Sequence, residues 1–257
     1  MELAIESLAI RALRLPHHIV IYYGSGGNSK GGRSRLRDRA FGDMRKWVAP
    51  QCFDCTTKEE FRKQAFEFYR ALLCTVRESD RFVIEGKLLK TWTAGEPIAG
   101  RLPYGHRTEM LSWEFTGKFW EMNVADTPIS PSINERGFSR RIIGIEKDGR
   151  FTSRPEEIDC ARKIFEADEQ LEDRIDSGDA VWCYFRQYLF PFAIKHTAQS
   201  ARDLIMRPGK GVQEQTSKLM HILGRVDGPA TCMKCDQEDA HAEETAVLKL
   251  RHENGKI

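Results

Sequence analysis

One stretch, IVIYYGSGGNSKGGRS at residues 19–34, constrains the fold of this chain more than any other. Five apolar residues, Ile19 to Tyr23, lie between Pro16 and Gly24, a pattern typical of a buried β-strand. A glycine-rich loop with a lysine follows, and the basic segment after it predicts a helix. A strand, a loop of the form G-x-x-x-x-G-K-[ST] and a helix together form a phosphate-binding loop, whose backbone N–H groups surround phosphate oxygens.

Two positions of this loop depart from the consensus. Aligned on Gly24 and Lys30, the chain has Ser29 in place of the second glycine and Gly31 in place of the hydroxyl residue that binds magnesium. Ser29 adds a Cβ where such loops commonly need the backbone freedom of glycine. Ser29 or Ser34 would have to replace the missing hydroxyl from a shifted position. The motif therefore predicts nucleotide binding and leaves hydrolysis open.

Composition limits the classes of protein to consider. Of 257 residues, 40% are hydrophobic and 30% are charged, which is ordinary for a globular protein with one large domain or two small ones. The net charge is only +2, so a surface for nucleic acid would have to be local. No apolar run reaches the roughly 18 residues of a membrane helix, and the first fifteen residues do not resemble a signal peptide. We therefore expect no membrane partner.

The chain has seven cysteines, an odd number, which predicts a reducing intracellular compartment such as cytoplasm or nucleus. Two C-x-x-C pairs, Cys52/Cys55 and Cys232/Cys235, each supply half of a zinc site, and His241 lies near the second pair. Four ordinary thiols are the alternative, and it is the more common outcome for such pairs.

Predicted strands and helices alternate along the chain. Strands are expected at 72–76, 113–123 and 140–145, and helices at 1–15, 33–48, 57–71, 82–93, 156–175, 178–192 and 197–224. This alternation predicts an α/β fold with a parallel sheet flanked by helices and a C-terminal helical extension. The predicted domains are an N-terminal helical segment (1–16), a P-loop core (17–150), a helical part (151–224) and a mobile charged tail (225–257).

The middle of the chain resembles the core of the superfamily-3 helicases of viral and plasmid replication. The matching segments are LLKTWTAGEPIAGRLPYG, with Lys90, Thr93, Gly95, Glu96 and Arg101, then FTGKFWEMNVADTPISPSINERGFSRRI, with Asn123, Pro128, Arg140 and Arg141, and finally EADEQLEDRIDSGDAVWCYFRQYL. The resemblance covers roughly residues 17–195. It is strongest in the middle of that range and weakest at the phosphate loop.

This resemblance implies an AAA+-like P-loop ATPase core that acts as an ATP-dependent helicase in viral or plasmid-like DNA replication. ATP and Mg²⁺ would be its cofactors. The implied assembly is a homo-oligomeric ring, a hexamer, that moves along single-stranded nucleic acid, with DNA favoured over RNA. A primase or polymerase would be its partner.

The resemblance also assigns roles to residues, each with an alternative. The residues that would bind ATP are Gly24, Gly26, Gly27, Asn28, Ser29, Lys30 and Gly31. Glu78, after the strand at 72–76, would hold magnesium or activate water, and Asp80 competes with it for this role. Asn123 would sense the γ-phosphate or, alternatively, cap the following turn.

Two further implied roles involve neighbouring subunits and nucleic acid. Arg140 or Arg141 would stabilise the transition state in the site of the next subunit, and the other would be a surface charge. His106 and Arg107 would lie on a hairpin that contacts the nucleic-acid backbone, or on an ordinary exposed turn. The next-best basic patch is the segment from Arg33 to Arg39.

Two other functions fit the same residues. Ser29 and Gly31 favour a catalytically silent P-loop scaffold that binds nucleic acid or partner subunits. The two C-x-x-C pairs would instead fit a zinc-stabilised module that binds nucleic acid.

Overall fold

The computed structural model describes residues 1–25, 27–53, 65–77, 86–95, 97–101, 108–123, 137 and 140–223. The chain divides into two compact units, Met1–Gly224 and Arg225–Ile257, and all described residues belong to the first. In the described ranges, no helix has both the length and the apolar character needed to cross a membrane. The boundaries predicted at residues 16 and 150, and the mobile tail, stay predictions.

The strands are β1 (Ile19–Gly24), β2 (Arg45–Val48), β3 (Leu73–Val76), β4 (Ile98–Arg101), β5 (Thr108–Leu111), β6 (Gly117–Asn123), β7 (Ile142–Glu146), β8 (Arg150–Thr152) and β9 (Ile164–Glu166). Five of them form a parallel sheet in the order β2-β3-β6-β1-β7. The pairs β4-β5 and β8-β9 form two small ribbons, antiparallel and parallel respectively.

The helices are α1 (Glu2–Ile10), α2 (Lys30–Phe41), α3 (Gly86–Ala94), α4 (Leu171–Asp176), α5 (Asp179–Tyr184), α6 (Phe190–Lys195), α7 (Ala198–Met206) and α8 (Lys210–Leu223). A π-helical turn, Phe185–Leu189, joins α5 to α6, so residues 179–195 form one helical run. Short 3-10 helices occur at Gly42–Met44, Pro50–Phe53, Phe66–Phe68, Pro155–Glu157 and Cys160–Arg162.

Helices cover both faces of the sheet. Alternate residues of a strand point to opposite faces, and the residues on both faces of β1 are apolar and buried. Ile21 and Tyr23 of β1 belong to the core that includes Trp92 of α3 and Leu219 of α8. Val20, with the rest of the second core, packs against α1, α2 and α7. Both faces are buried, which explains why β1 reads as a continuous apolar run. The predicted α/β fold with a parallel sheet, flanking helices and a C-terminal helical extension is confirmed.

The order of the strands creates a crevice at one edge of the sheet. From β1 the chain runs to the edge strand β2, returns through β3 to β6, and then crosses to β7 on the other side of β1. The register places Gly24 opposite Asn123, and Tyr23 opposite Glu146. In open α/β sheets, ligands bind outside the carboxyl ends of the strands where the order reverses. Here that place is the end of β1.

The helix predicted at 33–48 has different bounds. It begins at Lys30 and ends at Phe41, since Gly42, with φ +50° and ψ −132°, takes a non-helical backbone conformation that favours glycine. Residues 45–48 then form β2, which pairs with β3. The tertiary pairing of this segment overrides its helical periodicity.

The helix predicted at 156–175 is wrong over most of its length. The side chain of Asp159 accepts hydrogen bonds from the backbone N–H groups of Ala161 and Arg162, and Lys163 has φ +58°. These features make a turn, after which β9 pairs with β8. Only Leu171–Asp176 is α-helical, so the predicted helical part begins with a β-ribbon.

Candidate nucleotide-binding site

The structure brings Lys30 and Asn123 into direct contact, although 93 residues separate them in sequence. The Lys30 Nζ atom donates to the side-chain oxygen of Asn123 and to the backbone oxygen of Met122, both at 2.9 Å. It also lies 3.4 Å from the backbone oxygen of Gly24. The register of β1 beside β6 causes this contact, since it aligns Gly24 with Asn123. An ammonium group and an amide thus meet at the crevice.

The loop before Lys30 is held tightly against the segment after β7. A Cβ atom at Gly24 would lie 2.3 Å from the backbone oxygen of Lys147, so only glycine fits there. The Asn28 side chain is 7% exposed, and its Nδ2 atom donates to the backbone oxygens of Ser25 and Lys147 at 2.5 and 2.9 Å. Gly27 has φ +73°. Gly24 and Asn28 therefore fix the shape of the loop.

The two departures from the consensus have different structural consequences. Ser29 has φ +62°, a left-handed conformation that glycine adopts readily and serine adopts at a cost. A Cβ atom built on Gly31 would have no other atom within 4 Å, so the structure has space for a side chain with a hydroxyl group at this position. Ser34 does not replace it, because Ser34 is fully buried and its hydroxyl donates to Glu121.

A cavity of about 430 Å³ lies beside the loop. Its lining includes the polar and basic residues Asn28, Ser29, Lys30, Arg33 and Lys147, the carboxylates of Glu6, Glu121, Glu146 and Asp148, and the apolar residues Leu36, Phe151, Leu171 and Ile175. A volume of this order is typical of small-molecule sites. The first turn of α2 begins at Lys30, so the helix directs its N-terminal N–H groups toward the loop, an arrangement that favours anions.

An ionic cluster, most of which lines the cavity, is formed by Glu2 and Glu6 of α1, Arg33 and Arg37 of α2, and Lys147. Arg37 is almost fully buried, and its Nε atom donates to Glu6 at 2.6 Å. Its Nη2 atom lies 3.3 Å from Glu2. Arg33 and Lys147 also pair with Glu2. The cluster binds the first helix to the helix that carries the loop lysine.

The pKa values in this ionic cluster move in opposite directions. Burial would lower the pKa of Arg37, but the neighbouring Glu6 and Tyr22 raise it above its ordinary value. Burial lowers the pKa of Lys147 to about 8, with further contributions from Arg33 and Arg37. The positive charge on the cavity wall therefore decreases as the pH rises through about 8.

The arginines of α2 make contacts within the chain. Arg35 pairs with Glu172 at 2.8 Å and with Asp176 at 2.6 Å, and Arg39 donates to the backbone oxygen of Asp176. Arg33 and Arg37 belong to the ionic cluster. The segment Arg33 to Arg39 stays a predicted alternative surface for nucleic acid, with its arginines engaged in these contacts.

Arg140 and Arg141 precede β7 and lie at the amino edge of the sheet, opposite to the loop. The five residues of β7 span about 16 Å, so neither side chain reaches the loop of its own chain. The Arg141 Nη1 atom donates to the backbone oxygen of Lys90 at 2.6 Å and lies 3.2 Å from the hydroxyl of Thr93. Arg140 is exposed. Burial and contacts thus distinguish two arginines that the sequence left equivalent.

Several predicted site residues lie outside the described part of the chain: Gly26, Glu78, Asp80, His106, Arg107, Cys55, Cys232, Cys235 and His241. Cys52 is described and is buried. Among the described residues, no group of three or more His, Cys, Asp and Glu side chains is arranged to hold a metal ion. The magnesium role of Glu78, the zinc pairs and the hairpin contacts stay predictions.

The sequence matches no protein family model and no curated protein. Its fold is similar to solved structures of the C-terminal region of NrS-1 without ligand. Two structures of the A form each give a TM-score of 0.51 at 16% sequence identity. The first match covers 84% of this chain and 46% of the solved chain, and the second covers 89% and 47%. A third gives 0.53 at 16% identity, over 88% of this chain and 48% of that one. The chain spans about half the length of these structures, and the likeness is one of fold.

The ionic cluster yields a test of stability. Arg37→Ala should lower the free energy of unfolding by about 3–5 kcal/mol, because Glu6 would remain buried without its counter-ion. Arg35→Ala is the matched control on the same helix, and it should change stability little, since its ion pairs are exposed. Urea unfolding measures both variants. Equal losses of stability would contradict the structural role of the cluster.

Proposed function

We propose that this chain is an AAA+-like P-loop ATPase of the superfamily-3 helicase type, which moves along single-stranded DNA during genome replication. The observation that carries this proposal is the contact between Lys30 and Asn123 at the crevice beside β1. A phosphate loop needs a lysine facing the β- and γ-phosphates and a polar residue that detects the γ-phosphate. Lys30 begins α2 and Asn123 ends β6, and the two side chains meet at the place where such a sheet binds ligands.

In this proposal ATP binds with its phosphates at the N-terminus of α2 and its base in the adjoining cavity. Lys30 exchanges the carbonyl oxygens that it now contacts for phosphate oxygens, which offer it a stronger, charge-assisted hydrogen bond. Asn123 then turns its amide toward the γ-phosphate. Mg²⁺ bound with ATP would neutralise charge on the β- and γ-phosphates, and Glu78 is the residue proposed to hold it.

The proposed transition-state arginine comes from a neighbouring copy of the chain in a ring. Arg140 suits this role because it is exposed and lies at the edge of the sheet opposite to the loop. Arg141 is bonded to α3 in its own chain and suits a structural role. An arginine supplied by a neighbour makes hydrolysis depend on assembly.

A catalytically silent scaffold is the second candidate, and Gly31 is the observation that favours it. Without a hydroxyl at this position the loop lacks one ligand of the magnesium ion. The left-handed conformation of Ser29 adds strain at the same turn. In this alternative the chain binds nucleotide to stabilise its fold or its assembly and releases it unchanged.

The role of Lys30 is tested by ATP affinity. Lys30→Ala should abolish detectable binding, because the variant loses the ammonium group that faces the β- and γ-phosphates. Lys46→Ala is the control, since Lys46 is a partly exposed lysine on β2. Isothermal titration calorimetry with ATP and Mg²⁺ measures both. If Lys30→Ala binds ATP as tightly as the parent does, the loop is not the nucleotide site.

Gly31 separates the enzyme from the silent scaffold. Gly31→Ser should raise magnesium-dependent turnover, because it restores a metal-binding hydroxyl where there is space for it. Gly31→Ala, with the same Cβ and no hydroxyl, should leave turnover at the level of the parent. Phosphate release at saturating ATP is the measurement. Equal turnover in all three proteins would show that this hydroxyl does not limit the chemistry.

Arg140 is tested by turnover and by complementation. Arg140→Ala should lower ATP turnover about a thousandfold and leave ATP binding intact, as expected for an arginine that acts on the transition state. Arg141→Ala should mainly lower thermal stability, because it releases α3. Mixing Arg140→Ala with Lys30→Ala protein should restore part of the activity, since some interfaces then hold both residues. No recovery in confirmed mixed assemblies would argue against a shared site.

A further inference from the structure

The helical run at 179–195 presents large apolar side chains to solvent. Trp182 is 63% exposed, Phe190 is 47% exposed and Ile194 is 86% exposed. Arg186 and Lys195 are exposed on the same run. Trp182, Arg186, Phe190 and Ile194 follow one another at intervals of four residues along the run, and all four are exposed. We call these four residues and Lys195 the aromatic–basic surface.

The opposite side of this helical run is packed against the core. Ala180 and Leu189 are buried, and the hydroxyl of Tyr184 donates to Glu6 in the ionic cluster. Leu189 belongs to the core that includes α1 and β1. The aromatic–basic surface is therefore held rigidly on a folded core, and its exposure is not a result of a frayed helix.

The cations of this surface, Arg186 and Lys195, are exposed. Residues 179–210 contain five basic residues (Arg186, Lys195, Arg202, Arg207, Lys210) and two acidic residues (Asp179, Asp203), while α4, which packs against α5, carries Glu172, Asp173 and Asp176. In the described part of the chain, no carboxylate forms an ion pair with Arg186, Lys195, Arg207 or Lys210. Arg33, Arg35 and Arg37 of α2, in contrast, are paired with acids.

We propose that the aromatic–basic surface binds single-stranded nucleic acid. Trp182 and Phe190 stack on bases, while Arg186 and Lys195 bind phosphates, the combination by which proteins hold single strands without reading sequence. The two aromatic residues are about 12 Å apart along the helix, so they contact bases that are not adjacent in the strand. The inference rests on the proposed function only in its choice of ligand, because the surface contains no residue of the phosphate loop.

A protein groove is the competing ligand, since Trp182, Phe190 and Ile194 would also fit the apolar groove of a second copy. The unpaired basic residues favour nucleic acid. Arg186, within the aromatic–basic surface, would not stabilise binding to an apolar groove. A polyanion would bind more tightly at each of these cations, because each contact releases counterions from the polyanion. The experiment therefore includes self-association as an outcome.

The chain supplies its own fluorescent probe for this proposal. Of its five tryptophans, Trp92, Trp113 and Trp120 are fully buried, and Trp47 is partly buried between the guanidinium groups of Arg45 and Arg77. Trp182 is the tryptophan that solvent reaches most freely. Titration with a dT₂₀ oligonucleotide, in the absence of ATP, should quench tryptophan emission through base stacking. Trp182→Phe should remove the quenching while most of the binding of a labelled dT₂₀, followed by anisotropy, remains.

Variants then separate stacking from charge. Trp182→Ala should weaken dT₂₀ binding about tenfold, as expected for the loss of one stacked base. Arg186→Ala should make the slope of log K against log salt shallower by about 0.7. Phe165→Ala and Arg162→Ala are matched controls, exposed residues on the β8-β9 ribbon, and they should leave binding unchanged. Thermal melting of every variant confirms that the fold is intact.

Three results would overturn the proposal. In the first, dT₂₀ binds without quenching Trp182. In the second, Trp182→Ala and Arg186→Ala bind dT₂₀ with the affinity and salt slope of the parent. In the third, Trp182 emission responds to protein concentration and not to dT₂₀, which identifies the surface as a contact between copies. Because ATP is absent, a chain that hydrolyses nothing would still give the expected result, so the failures of the two proposals are distinguishable.

Discussion

Pairing of β1 with β6 on one side and β7 on the other fixes the geometry on which the candidate site depends. The register with β6 places Gly24 beside Asn123 and so brings the amide within reach of Lys30. The register with β7 brings the Lys147 carbonyl against Gly24, and Asn28 then binds that carbonyl. A slip of one residue in either pairing would invert every side chain of β1 between the two cores. The crevice is therefore a property of the sheet as well as of the loop.

The ionic cluster adds a second constraint, because it joins α1 to the helix that carries Lys30. A buried ion pair is weak evidence for net stability, since desolvation opposes the Coulombic gain. Its effect here is one of position: Arg37 cannot leave Glu6 without exposing a buried charge, so α2 keeps its place on the sheet. The same pairing engages Arg33 and Arg37 of α2, whereas Arg186 and Lys195 form no ion pair in the described part of the chain. The cations that we propose for binding a polyanion therefore lie on a different helix from the candidate nucleotide loop.

The loop combines the strand–loop–helix arrangement of a P-loop with a sequence that departs from the consensus at two positions. Its strand, its turn and its helix have the arrangement of a P-loop domain, and the solved structures of the NrS-1 C-terminal region share the fold. Ser29 and Gly31 depart from the P-loop consensus at the turn and at the position of the metal-binding hydroxyl, and a side chain at position 31 would have space. A fold does not by itself fix the chemistry of a site.

The sequence by itself determined the strands that are buried on both faces, because a continuous apolar run between Pro16 and Gly24 has few other solutions. It also determined the loop, since glycine and lysine spacing is local. It failed at residues 156–175, where a charged amphipathic pattern suggested a helix and turn chemistry at Asp159 and Lys163 gave a ribbon. Only the tertiary structure decided that Lys30 meets Asn123, that Arg37 is buried, and that Arg141 is bonded in its own chain while Arg140 is exposed. Each of these depends on contacts between residues far apart in the chain, which local patterns of hydrophobicity and charge do not encode.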